Sequence, residues 1–279
     1  MREVALPTGW APYALAATPD ASVWMTLLAP GALARLEPDG EVTLHEIAGD
    51  PARPMLLAAG ADGTLWYTRS DDRIGRVAAD GTETLVETPA GAAPYGIGLG
   101  VDLWFTAPGL NQLGRLGPDG ALTMVDLPVP KAGPAMLTVT ADGTVWTALN
   151  SAGALARYHD DQVRIIELPP GSAPVGIAAG KDRVWYADIA AGRVGFVDPA
   201  GHVETIALPD PASRPHAVAP DPAGGCWVTL WGTGRLAHVT AEGRVSQYAL
   251  PGREPHGLLV HGAQVWVAME SGMLVAVDR

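Results

Sequence analysis

The residues best suited to chemistry lie near the end of the chain. Arg253-Glu254-Pro255-His256-Gly257 is followed by Val265-Trp266-Val267-Ala268-Met269-Glu270. Two carboxylates and an imidazole on two neighbouring extended segments have the make-up of a metal-plus-base site. Carboxylate oxygens suit a hard cation, and an imidazole accepts a proton near neutral pH. In an extended segment, side chains at i and i+2 point the same way, so the spacing predicts that Glu254 and His256 share a face. Glu270 falls where the next strand returns toward the same end. A turn of this composition is common in proteins, so the elements that position it must decide.

Those elements are repeats. An apolar residue or cysteine followed by Trp recurs at Trp24, Trp66, Trp104, Trp146, Trp185, Trp227 and Trp266, with spacings of 42, 38, 42, 39, 42 and 39 residues. A period near forty with strand-like contents indicates a propeller. Each unit opens on a Pro, as at Pro12, Pro94 and Pro255, and runs into a short apolar strand such as Tyr95-Gly96-Ile97-Gly98-Leu99. The Trp strand follows, then a third strand such as Arg73-Ile74-Gly75-Arg76-Val77. A tight Asp-Gly or Glu-Gly turn leads to a fourth strand ending near Leu-Pro. The expected fold is all-β: a seven-bladed β-propeller with four-stranded blades, forming one domain over residues 1–279. The seventh unit stops after its third strand, and Glu3-Val4-Ala5-Leu6-Pro7 resembles the missing fourth. The N-terminal strand is therefore expected to complete the last blade and close the ring. The repeat Trp side chains are read as packing between blades.

In such a ring the first strand of each blade lines the central channel. The residue after each opening Pro then stands at one rim: Tyr13, Met55, Tyr95, Ala135, Val175, His216 and His256. A second set lies four residues after each Trp and includes Asn150, Trp231 and Glu270. His216, His256 and Tyr13 belong to consecutive blades in a closed ring, so polar and aromatic residues converge on one side of a mostly apolar mouth. That is the pattern of a ligand site. His45, His159, His202, His238 and His261 are assigned to outer strands or turns, and Asp71-Asp72 and Asp160-Asp161 to solvated turns.

Composition narrows the classes. The chain of 279 residues carries 18 basic and 30 acidic residues, a net charge of −12, with no run of Lys or Arg. Electrostatic binding to nucleic acid or to an anionic membrane is disfavoured. No apolar stretch reaches the roughly 18 residues that span a bilayer, and the first residues lack a signal-peptide pattern. One cysteine, Cys226, excludes an internal disulfide and is expected to be a buried apolar residue. The expectation is a cytoplasmic monomer whose partner is a small molecule.

The repeats, together with Arg214-Pro215-His216-Ala217, Trp231-Gly232, Glu254-Pro255-His256-Gly257 and Trp266-Val267-Ala268-Met269-Glu270, resemble the virginiamycin B lyase family, also called streptogramin B lyases. The resemblance spans the whole chain. It implies a carbon–oxygen lyase that opens the cyclic depsipeptide ring of type B streptogramin antibiotics by magnesium-dependent elimination, not hydrolysis. By this resemblance His256 is the catalytic base, Glu254 and Glu270 hold Mg2+, His216 contacts substrate, and Tyr13 is a substrate-side tyrosine. The aromatic rim residues Tyr95 and Trp231, with Tyr13 and Met55, suit a large aromatic peptide ring of little charge. The sequence also departs from the family. The family's Trp-Phe-Thr-Glu loses its Glu in every blade, with Leu27, Arg69 and Ala107 in the first three. The Ile-Gly-Arg signature is intact only at Ile74-Gly75-Arg76.

The residue types fit that chemistry. Removing the threonine α-proton and expelling the ring carboxylate opens the lactone and leaves an alkene. A histidine has the basicity for the first step, and a cation stabilises the developing charge. Two other readings differ in their demands. A metal-dependent lactone hydrolase would use more oxygen ligands at the axis than Asn150 and two glutamates. A non-catalytic propeller binding a ligand or a protein would need no axial metal.

Overall fold

The computed structural model describes residues 1–49 and 53–279. Among the described residues twenty-eight strands make seven four-stranded antiparallel sheets, with one short 3-10 turn at Pro211–Ser213. Each sheet is one blade, and its strands follow one another outward in chain order. In the last blade Pro255–His261, Gln264–Met269 and Met273–Asp278 are followed by Arg2–Ala5. Arg2 pairs with Ala276 and Ala5 with Met273, so the ring is closed by its N-terminal strand, as expected. Closure leaves no blade in need of a partner.

Burial falls off outward. The second strands, such as Leu103–Ala107, Val145–Leu149 and Cys226–Leu230, are buried at every position. Neighbouring blades cover both of their faces, and this is why they are mostly apolar, with buried threonines such as Thr106 and Thr229 among the exceptions. The outer strands, such as Leu122–Asp126, alternate between exposed and half-buried residues.

The Trp and Ile-Gly-Arg signatures have one steric cause. Across the second and third strands Tyr67 faces Gly75, Phe105 faces Gly114 and Tyr186 faces Gly195. A Cβ on Gly75 would lie 2.0 Å from the Tyr67 ring. In blades one, four and six the second strand carries a smaller residue and the third carries Ala: Met25 faces Ala34, Thr147 faces Ala156 and Val228 faces Ala237, while in blade seven Val267 faces Val275. The next pair in register sets Arg35, Arg76, Arg115 and Arg157 over Trp24, Trp66, Trp104 and Trp146, at 5.6–5.9 Å from guanidinium to ring.

The innermost strands begin at the opening Pro in six blades. Blade three differs from expectation, since its inner strand is only Ile97–Leu99. In the other six blades the residue four after Trp donates its N–H to the carbonyl just before the opening Pro, as Glu270 does to Glu254 and Trp231 to Arg214. Blade three has Pro108 there, which carries no N–H. Tyr95 bonds instead to Thr106.

A buried threonine locks several blades to the next. Thr229 Oγ1 accepts from the Ala217 N–H at 2.9 Å and donates to the His256 carbonyl of blade seven at 3.1 Å. Thr26, Thr68 and Thr106 make the same pair of bonds toward the carbonyls of Met55, Tyr95 and Ala135. Rim residues are thus held by their carbonyls from the preceding blade. Replacing Thr229 by Val leaves the buried Ala217 N–H and His256 C=O unpaired, which costs about 2 kcal/mol. Urea denaturation of Thr229→Val should show that loss, and an unchanged midpoint would remove the clamp as a determinant of stability.

Candidate active site

Three rings from three consecutive blades meet at one rim of the channel. The centroid of His256 is 4.8 Å from His216 and 4.7 Å from Tyr13, and Tyr13 lies 6.1 Å from His216. Their exposures of 7 % for His216, 8 % for Tyr13 and 9 % for His256 make this a desolvated cluster, not a solvated rim. Tyr13 Oη meets Tyr95 Oη of blade three at 2.7 Å, across the channel mouth. Trp231 stands 6.1 Å from His256. The structure therefore brings together the five rim residues singled out by their spacing.

Close backbone approach makes the cluster possible. In blades four, five and seven the clamp position carries Ala148, Ala187 and Ala268, and in blades five and seven the residue two after Pro is Gly. A Cβ on Gly176 would lie 2.2 Å from the His216 carbonyl, and one on Gly257 2.4 Å from that of Tyr13. The two ring-bearing strands are drawn against their neighbours where a side chain is absent.

Glu270 Oε2 lies 2.7 Å from His256 Nε2. A carboxylate only accepts, so Nε2 carries the hydrogen and the lone pair of the neutral ring is on Nδ1. Nδ1 is buried and has no partner, as are His216 Nδ1 and Trp231 Nε1. Burial lowers the pKa of His256, while the charges of Glu270 and Glu254 pull it back up. His216 is pushed down to about 3, first by burial and then by its neighbour His256. Tyr13 and Tyr95 are raised by burial and stay protonated phenols. At neutral pH the cluster is uncharged apart from its carboxylates, with an imidazole able to take up a proton.

Glu254 is placed differently from the sequence reading. It precedes the strand that starts at Pro255 and has φ of +59°, so strand alternation does not relate it to His256. A left-handed residue also precedes the opening Pro at Ala93, Gly133 and Arg214, and Gly133 at the equivalent repeat position was the available signal. The Glu254 carbonyl accepts the Glu270 N–H at 3.1 Å, which ties the two acidic residues together through the backbone. A second correction concerns Asp71 and Asp72. Asp71 pairs with the fully buried Arg69 at 2.7 Å, and Asp72 accepts from the Gly91 and Ala93 N–H groups. These turns are load points of the loops, not merely solvated. His238, assigned to an outer strand, stacks on Trp227 at 4.3 Å and meets the buried Asp221 at 3.0 Å.

Magnesium takes oxygen ligands, keeps several waters and often uses only one or two carboxylates. Glu254 is exposed and the Glu270 side chain is 33 % exposed, both at the mouth. The donor type and the access fit such a cation. Among the described residues no group of three or more His, Cys, Asp or Glu side chains is placed to hold a metal, so the fit is to a hydrated ion held from one side. Asn150 donates its amide to the Pro174 carbonyl and serves the scaffold. Spacing alone did not single out Arg214. Its guanidinium lies over Trp231 at 5.3 Å, and its φ is +49°.

His216 links the cluster to stability. Its folded pKa of about 3 lies below the ordinary 6.5, so on acidification the unfolded chain binds the proton first. Stability is fully present above pH 6.5 and is lost as pH falls toward 3, by roughly 1.4 kcal/mol per pH unit. Denaturation at pH 7 and pH 5 should show a steeper loss for the native chain than for His216→Gln. Parallel losses would mean that His216 is not held neutral.

A family model described as the virginiamycin B lyase family matches residues 1–277. The virginiamycin B lyase of Nocardia farcinica (strain IFM 10152) is 40 % identical over 274 residues, which covers 95 % of each chain. Among solved structures, selenomethionine-substituted virginiamycin B lyase from Staphylococcus aureus superposes with a TM-score of 0.95 at 28 % identity, covering 100 % of this chain and 98 % of that one. A catalytically inactive histidine-to-alanine variant of the S. aureus enzyme, with quinupristin, gives the same figures.

Proposed function

The chain belongs to the virginiamycin B lyase family, and from that premise we propose that it linearises type B streptogramins by magnesium-dependent elimination at the threonyl ester. The observation that carries this reading is the neutral His256 imidazole against Glu270 at 2.7 Å, walled by His216 and Tyr13 at the mouth of a closed propeller.

The roles follow from the geometry. His256 takes the threonine α-proton, since burial keeps its ring unprotonated near neutral pH. Glu270, in contact with the ring, stabilises the imidazolium that forms. The electron pair of the C–H bond becomes the alkene bond, the Cβ–O bond breaks, and the ester oxygen leaves as a carboxylate. Glu254 and Glu270 would hold the magnesium, which supplies Lewis-acid stabilisation to the developing oxyanion charge. His216, Tyr13, Tyr95 and Trp231 form the wall against which an aromatic peptide ring packs. The histidine whose removal inactivates the S. aureus enzyme supports a histidine in the central role.

Incubation of the purified protein with a type B streptogramin and magnesium should give a linear product of unchanged mass. Chelator should abolish it. A product heavier by one water would establish hydrolysis instead, and no turnover would overturn the substrate class. His256→Ala should lose at least about a thousandfold in kcat while its thermal unfolding stays near that of the native chain. Glu254→Gln and Glu270→Gln should each raise the magnesium concentration for half-maximal rate, and unchanged titrations in both would count against the metal assignment.

A further inference from the structure

Beside the lyase site, and sharing Trp231 and Glu254 with it, lies a cleft of about 610 Å³ between blades six and seven. Arg214, Arg235 and Arg253 line it, with Trp231, Thr233 and Glu254. The sequence shows no basic run, and folding creates this cluster from three separate segments of a chain with net charge −12. Among the described residues none of the three arginines makes an ion pair, although most other arginines of the fold do.

The repeat sharpens the contrast. Arg73 and Arg193 occupy the position in blades two and five that Arg235 occupies in blade six. Arg73 pairs with Asp71 and Glu87, and Arg193 pairs with Asp188 at 2.9 Å. Blade six has Leu230 and Ala249 beside Arg235, so no internal carboxylate answers it. The Arg214 guanidinium covers Trp231. Two further lining atoms, Trp231 Nε1 and Thr233 Oγ1, are buried without a partner. Trp231 belongs to both the rim and the cleft, so a ligand on His256 extends naturally into it.

We propose that this cleft is a carboxylate subsite, which receives the acid group freed when the depsipeptide ring opens. Planar guanidinium groups match a carboxylate in shape and charge. The proposal rests on the lyase reading only for the origin of the carboxylate. An intact lactone has no such group, so the subsite recognises the opened chain and sets how long the product stays.

Two probes test it without turnover: the linear acid made by alkaline opening of a type B streptogramin, and the linear amide made by ammonia opening of the same ring. Their binding is measured by calorimetry at low salt with chelator present, so that no metal contributes. The acid should bind about tenfold more tightly than the amide, and the preference should shrink with added salt. In the Arg214→Gln/Arg235→Gln/Arg253→Gln variant, folded by its thermal transition, the ratio should fall to near one while amide binding persists. Equal binding of acid and amide, no binding of either, a preference that survives in the variant, or competition by acetate as effective as the linear acid would each overturn the proposal. Turnover of the intact lactone is scored separately. Turnover without an acid preference sinks the subsite and leaves the lyase reading, whereas an acid preference without turnover does the reverse.

Discussion

The position of His256 is set by a blade to which it does not belong. Thr229 in blade six holds the His256 carbonyl, while the His256 side chain packs on His216 of blade six and Tyr13 of blade one. A seven-bladed ring tolerates little error of this kind, because displacement at any one junction is passed around the circle. Closure by Arg2–Ala5 converts seven separate sheets into one rigid frame. At Ala187 and Ala268, where the clamp is missing, Gly176 and Gly257 let the backbones meet directly against His216 and Tyr13. His256 itself is held by the Thr229 clamp.

That tightness has an electrostatic consequence. Rings packed from three blades exclude water, and desolvation outweighs the attraction of nearby carboxylates in keeping both histidines neutral. The two are not equivalent. His216 has no carboxylate at hand and is pushed far below the range in which it could cycle a proton. His256 has Glu270 in contact and Glu254 within reach of its charge, so of the two only His256 has carboxylates at hand to stabilise a protonated ring. Environment therefore distinguishes the two histidines despite their identical places in the repeat.

The architecture was legible because the repeat is steric. A Trp strand covered on both faces is mostly apolar, its few buried polar residues being internally bonded, and Pro at each blade entrance cannot be mistaken for an interior strand residue. The blade count, the ring closure and the convergence of Tyr13, His216 and His256 all follow from that period. Glu254 was not placed correctly, since alternation holds only within a strand and a left-handed residue at the entrance resets the direction. Blade three resisted for a similar reason, as Pro108 removes the N–H that starts the inner strand elsewhere. The arginine cluster was invisible to any linear scan. Arg214, Arg235 and Arg253 come from one blade entrance, one third strand and the next blade entrance, and only the inter-blade cleft relates them.

The eroded signatures are instructive for what they leave intact. Tyr–Gly, Phe–Gly, Met–Ala, Thr–Ala and Val–Ala are alternative ways to fill the same space across the second and third strands. A large residue on one side demands glycine on the other, and a smaller one allows alanine, so total volume is kept while the motif disappears. These pairs lie outside the inner strands. The scaffold can therefore drift in sequence without touching His256, provided each exchange is made in pairs. Changes in the blade entrances and in the loops after the second strands have no such freedom, because the Glu270–Glu254 and Trp231–Arg214 backbone bonds join them directly to the rim. Divergence in substrate range should accordingly be read from those entrances and loops, and in this chain Arg214 and Arg253 stand at two of the entrances.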